Sequence, residues 1–502
     1  MSDDKIIDKR RRLFIEALQL RAKVYSLIGE YDRGIEDVRK AIFTCRIENP
    51  PDLSLIANLT IQLADMIQEG KNNYDAAQIL IKRLLREKNM KNDLTTYSAA
   101  LNTLGINFRH CGNYNAALKY HKMALRVNKR LKDNTQIGRT FSNIGTIYYY
   151  MNNYGAASKN YKKALVILIR AKNLTGLNIT YNNIGSLYYE QGKNLNALRY
   201  YKQSLKIADK IGFVNNISIA YGNIGTVYHD MNNIDLAIKY YEKSTQIAKQ
   251  INNGIGVAVG NNNIGTGYYD KDDFTSALKY YKDSLAAFEH VNFVPGIGSA
   301  CLKLGQVYLE LGKHTKASKY LKSAEIIFKK TSNIKNLIRI NALFSELSLK
   351  KKDYRKAHKF AQEALSLAIE TGARAERILA LRTMSKILFA TIKQRGEKSE
   401  KRIIKTKKFL STHYLLRTTK KAIAFLEEAV SLARAHNMQL DLAKSLYELA
   451  RIYHESRRCK MKGDVTKKIM NYLEGAERIF KKAGAKLWLK KVVTIQNKIV
   501  SL

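Results

Sequence analysis

Proline is almost missing from this chain, with three residues in 502. Irregular loops and turns use proline freely, whereas helix interiors exclude it, so the scarcity favours a mostly helical chain. Cysteine is scarce too. Cys45, Cys111, Cys301 and Cys459 are the whole complement, too scattered for a disulfide framework or a metal cluster. No run approaches the ~18 apolar residues of a membrane-spanning helix. The N-terminus opens Met1-Ser2-Asp3-Asp4, and Glu16 and Gln19 interrupt the stretch Leu13 to Leu20, so no signal-peptide apolar region is expected. The chain also lacks a G-x-x-x-x-G-K-[ST] phosphate loop, an H-E-x-x-H pair and any C-x-x-C, the short motifs that carry nucleotide or metal chemistry. These absences predict a soluble cytoplasmic chain with no cofactor, no metal and no catalytic residues.

Acidic residues are outnumbered two to one: 43 Asp and Glu against 87 Lys and Arg, for a net charge of +44. Such a charge attracts nucleic acid, anionic surfaces or acidic proteins. The chain is also heavy in Asn, Lys and Ile, residues that an AT-rich genome over-supplies, so charge alone selects no partner.

What is present in abundance is repetition, the feature to seek first in a long chain. Gly105, Gly145, Gly185, Gly225, Gly265 and Gly305 recur every 40 residues. Twelve residues after each stands Ala117, Ala157, Ala197, Ala237, Ala277 or Ala317. Leu or Ile precedes each glycine, and Phe108 or a tyrosine lies three residues beyond it. The spacing predicts a helical hairpin per unit. Its first helix runs from about eight residues before the glycine to five or six after it, and its second, for example Tyr154 to Lys172, is roughly 17 to 20 residues long. Asn152-Asn153, Gly192-Lys193, Asn232-Asn233 and Asp272-Asp273 mark the turns between them, where short polar side chains bond to nearby backbone. Glycine inside a helix costs up to about 1 kcal/mol relative to alanine, so its return at one register implies a close helix contact. The glycine-rich stretch Gly254 to Gly260 has the wrong spacing for a dinucleotide loop and reads as an inter-repeat turn.

These repeats resemble tetratricopeptide repeats of a forty-residue variety. "NNIGSLYYEQGKNLNALRYYKQSLKIADKIG" around Gly185 is similar to the repeats of Pins/LGN polarity adaptors and to modules fused to bacterial sensor kinases and cyclases. The resemblance implies an all-α, right-handed α-solenoid and a docking function. Extending the register predicts about eleven hairpins. Residues 1–94 form divergent N-terminal units and 95–374 the regular array. Residues 375–485 form expanded C-terminal units with a basic insertion at about 390–416, and 486–502 a capping helix. In the expanded units Ser385 pairs in register with Ala422, and Ala450 and Ala476 occupy the final hairpin. Trp488, Val492, Ile495 and Ile499 recur at helical spacing near the end, fitting a cap or a homodimer contact.

The candidate site is a set of rows. Asn143, Asn183, Asn223 and Asn263 stand two residues before successive glycines. Asparagine is disfavoured inside helices, so four at one spacing need a shared cause. On the concave face the first helices of such arrays line, each amide carries donors and an acceptor suited to an extended peptide backbone. The resemblance implies the same, since related ladders do this in similar adaptors. The alternative is that these side chains bridge adjacent first helices. Glu190, Asp230, Asp270 and Glu310 form an acidic row five residues after the glycines, beside Tyr149, Tyr189, His229 and Tyr269. The combination predicts a groove for a protein or peptide with basic or amidic side chains. The alternatives are weak, non-specific nucleic-acid or anionic-surface binding through the basic C-terminal regions, or a stand-alone regulatory module of a kinase or cyclase system. His121 falls where other repeats hold tyrosine and is expected to pack, not to react.

Overall fold

The computed structural model describes residues 3–28, 30–47, 52–71, 73–403, 412–436, 438–456 and 465–500. Among them are 23 α-helices and no strand. Two hairpins come first: α1 (Asp3–Ile28) with α2 (Tyr31–Arg46), and α3 (Leu53–Lys71) with α4 (Tyr74–Arg86). The regular array begins with α5 (Leu94–His110) and α6 (Tyr114–Arg130), α7 (Asn134–Tyr150) and α8 (Tyr154–Arg170), and α9 (Leu174–Glu190) and α10 (Asn194–Lys210). It continues with α11 (Val214–Asp230) and α12 (Ile234–Gln250), and with α13 (Gly254–Asp270) and α14 (Phe274–His290). It ends with α15 (Val294–Glu310) and α16 (His314–Lys330), and α17 (Ile334–Lys350) and α18 (Tyr354–Glu370). Two longer hairpins, α19 (Arg374–Ile403) with α20 (Thr412–Ala435) and α21 (Gln439–Glu455) with α22 (Val465–Ala483), precede the final α23 (Lys486–Val500). The architecture is an all-α solenoid of consecutive hairpins.

Helices of 17 residues joined by three-residue turns generate the forty-residue period. The turns divide their work between two residues. Asn152, Gly192, Asn232 and Asp272 adopt left-handed backbone with φ of 57° to 71°, a region open to Gly, Asn and Asp at least cost. The next residue caps the second helix: Asn153 Oδ1 accepts the Ala156 N–H at 3.0 Å, and Asp273 Oδ1 that of Ser276 at 3.0 Å. Side-chain oxygens at this position satisfy amides that the helix itself leaves free.

First helices start earlier than the spacing predicts. Asp133 and Asn173 cap helices that begin eleven residues before Gly145 and Gly185, not eight. The same extension corrects the reading of Gly254 to Gly260, which forms the opening turns of α13 and is not a turn between repeats. Glycine is required there by crowding, since a Cβ on Gly260 would collide with Thr245.

The repeated glycine answers to a ring. A Cβ on Gly145, Gly185, Gly225 or Gly265 would lie 2.6–2.8 Å from the ring of Tyr161, Tyr201, Tyr241 or Tyr281, which comes from the second helix of the same hairpin. Each hydroxyl then meets a hydroxyl on the first helix: Thr146, Ser186, Thr226 and Thr266 at 3.1–3.3 Å. His121 takes this place over Gly105, is buried, and shares a hydrogen bond with Asn102 at 2.9 Å.

The chain divides into two units, Met1–Ala220 with Gln250–Asn253 and Tyr221–Lys249 with Gly254–Leu502. In the second, Ser345 Oγ donates to the Ala357 carbonyl and Ser385 Oγ to that of Ala422, each at 2.7 Å, so one contact spans both a 12-residue and a 37-residue separation. Residues of the basic insertion up to Ile403 continue α19 and those from Thr412 open α20, while 404–411 lie outside the described residues. The final helices of this unit return to its first hairpins. Ile234, Tyr241 and Ile264 share one core with Leu473, Phe480, Val492, Ile495 and Ile499. Asp272 Oδ2 accepts the backbone N–H of Leu487 (2.8 Å) and Trp488 (3.3 Å), and Asn232 Nδ2 donates to the Ile479 carbonyl (2.6 Å). Val492, Ile495 and Ile499 of α23 are thereby buried within the unit, and Trp488 is half-buried.

Candidate binding face on the first helices

In the first unit, Asn143 and Asn183 lie half-buried on α7 and α9. Asn183 Nδ2 reaches back to Thr146 Oγ1 (3.3 Å) and Ser142 Oγ (3.5 Å) on the preceding first helix. This amide therefore bridges repeats. One turn earlier on the same stripe the structure exposes Ile179 at 40% and Ile219 at 46%, four residues before the ladder positions of their repeats. Sequence reasoning missed them, because an apolar residue in an amphipathic helix is assigned to the core by default. The signal was their own forty-residue spacing, which Val259 continues in the second unit.

The aromatic and acidic rows interlock across repeats. The Tyr149 hydroxyl donates to Glu190 Oε1 at 3.4 Å, and Tyr269 to Glu310 Oε1 at 3.4 Å. Burial first, and the carboxylate second, hold both tyrosines well above their usual ionisation range. Glu190 and Glu310 remain exposed to solvent, and Tyr189 is half-buried.

In the second unit the acidic row is engaged at Asp230 and Asp270 from within the chain. Asn223 and Asn263 are half-buried on α11 and α13. His229 Nε2 lies 2.9 Å from Asp270 Oδ2, and its Nδ1 3.7 Å from Asp230. Burial opposes the imidazolium, but hydrogen bonds to Asp230 and Asp270 raise its pKa to about 9. Asp270 is only 10% exposed and also meets Lys444 of α21 at 3.6 Å. Burial would raise its pKa, yet Lys444 and His229 hold it below the usual carboxylate range. Lys444 in turn stands 5.9 Å from the ring of Trp488, which stacks on Phe480. Further along, Lys386 pairs with Glu346 at 2.7 Å and Arg451 with Glu448 at 2.7 Å. Lys303, in the row of the asparagines, is pushed down to about 8 by burial and by Arg339.

The short His229–Asp270 contact ties α11 to α13. Among the described residues no group of three His, Cys, Asp or Glu side chains is placed to hold a metal ion, and no helix is long and apolar enough to cross a membrane.

Stacked helical hairpins define a repeat protein of the interaction-scaffold class, whose extended surfaces receive partners. Its central repeats are tetratricopeptide repeats: residues 96–169, 176–250 and 256–330 match that family. No curated protein matches it. Solved structures that resemble it include a signal transduction ATPase with numerous domains from Pyrococcus horikoshii, which has a tetratricopeptide repeat sensor. That likeness is 17% identical with a TM-score of 0.49, over 70% of this chain and 54% of that one. This chain thus spans about half of that protein. A Rap protein complexed with competence and sporulation factor is 14% identical, with a TM-score of 0.47 over 81% of this chain and 100% of that one. The apo form of RapI is 14% identical, with a TM-score of 0.48 over 81% and 98%.

Proposed function

We propose that the chain is a non-catalytic cytoplasmic adaptor that binds an extended peptide along the first-helix face of its first unit. The observation that carries this reading is the pairing of rows on that face. Exposed Ile179 lies one helical turn before Asn183, Ile219 adds a second apolar contact, and Tyr149 with Glu190 closes the other end. Apolar anchors give affinity, while amides fix an extended backbone without reading its side chains. Glu190, exposed and bonded to Tyr149, favours a peptide with basic or amidic side chains. The second unit is a poorer receptor, because Asp270 already meets His229 and Lys444.

Selection of a random-peptide display library on the immobilised chain tests the proposal. Peptides of related sequence should be enriched, and Ile179→Asp should abolish their binding. Asn143→Ala should weaken it by roughly 1–3 kcal/mol. Enriched peptides indifferent to both changes, or no enrichment, would contradict it.

A further inference from the structure

The charge of the regular hairpins in the first unit, α5 to α10, is segregated by face. Its regular second helices carry five Lys and Arg on α6, four on α8 and four on α10, and Asp209 is the only acid among them. The first helices alongside carry few Lys or Arg: Arg109 on α5, Arg139 on α7 and none on α9. A composition bias would load both helices of a hairpin alike, so the partition needs another cause.

The cations fall in register. Positions 14, 17, 21 and 25 residues after the repeat glycine hold Lys119, Lys122, Arg126 and Arg130 on α6. The same positions hold Lys159, Lys162, Val166 and Arg170 on α8, then Arg199, Lys202, Lys206 and Lys210 on α10. All twelve side chains are exposed. Steps of three, four and four residues keep each set on one stripe of its helix, and at about 1.5 Å per residue each stripe runs some 16 Å. Among the described residues none of these cations forms an ion pair with Asp or Glu. Second helices of the other unit are mixed: Glu242 on α12, Asp283 and Glu289 on α14, Glu325 on α16.

We propose that this outer face of the first unit binds the phosphate backbone of duplex nucleic acid without reading its sequence. Regular cations in two directions match a polymer of regular negative charge. No aromatic ring stands among the twelve positions, so the face has no platform on which to stack bases. Val166 is their one apolar residue, whereas helices that lie in a lipid interface present an apolar band. By contrast, two lysines nearer the C-terminus are already paired, Lys393 with Glu455 and Lys468 with Glu427. This inference is independent of peptide binding, which uses the opposite helices.

Titration of the full chain with a 20-base-pair DNA duplex at several salt concentrations tests it. Binding should fall steeply as salt rises and should not distinguish two unrelated sequences. The triple variant Lys122→Glu, Lys162→Glu, Lys202→Glu should bind about tenfold or more weakly, with its salt slope smaller by about one per lysine. The matched variant Lys282→Glu, Lys319→Glu, Lys322→Glu changes the same charge on the other unit and should bind as wild type. Equal losses in both variants would assign the effect to net charge and overturn the proposal. So would an absence of duplex binding at low salt, or binding only to anionic phospholipid vesicles.

Discussion

At the scale of the residue, the repeated glycine is a seat for an aromatic ring. Gly185→Ala gains up to about 1 kcal/mol of helix propensity. It also places a methyl group 2.6 Å from Tyr201, and overpacking of this kind costs about 1–3 kcal/mol. The steric term wins, so the variant should unfold at lower temperature than wild type. Gly155→Ala is the matched control, since its Cβ would meet nothing closer than Asn153 Oδ1 at 3.9 Å, and should be neutral or slightly stabilising. The glycine period was plain in the sequence, and so was a tyrosine sixteen residues on. That one lies flat on the other was not, because spacing carries no distance.

Two histidines give opposite pH signatures. His121 is buried without a carboxylate, and desolvation lowers its pKa from 6.5 to about 3. The folded state then binds fewer protons than the unfolded one between those values, so this stability is complete above 6.5 and is lost as pH falls toward 3. His229 is raised to about 9 by Asp230 and Asp270 against burial, so its contribution is complete below 6.5 and is lost as pH rises through 9. Unfolding midpoints of His121→Phe should decline less than wild type on the acid side. Those of His229→Gln should be flatter on the alkaline side. A pH profile unchanged in both would contradict the two assignments.

At the scale of the element, the sequence disclosed helix number, pairing and register, even across the long insertion, where Ser385 meets Ala422 as Ser345 meets Ala357. It could not disclose where α23 lands. Asp272 lies 215 residues before Leu487, and nothing periodic links a turn of one repeat to the end of the chain. Asp272 serves two ends: its left-handed backbone turns α13 into α14, and its carboxylate accepts the first amides of α23. Asp272→Gly keeps the backbone and removes the acceptor. It should lower the stability of the second unit by roughly 1–3 kcal/mol, read by denaturant unfolding followed through Trp488, the sole tryptophan.

At the scale of the whole molecule, one repeat serves different ends in different places. The sequence pattern pointed to a uniform ladder from Asn143 to Asn263 and a uniform acidic row. The structure breaks the acidic row, since in the second unit Asp270 meets Lys444 and His229 while Glu190 in the first stays exposed. Burial and long-range pairing made that division, and neither leaves a trace in local composition. The central claim is that the first-helix face of the first unit receives a peptide. Oxidative footprinting of the chain with and without a display-selected peptide reads side-chain access there directly. Tyr149, Ile179 and Ile219 should become protected, while Ile169 on the second helix α8 stays as reactive as before. Protection of Ile169 with Tyr149 and Ile179 unchanged would place the ligand elsewhere and contradict the account.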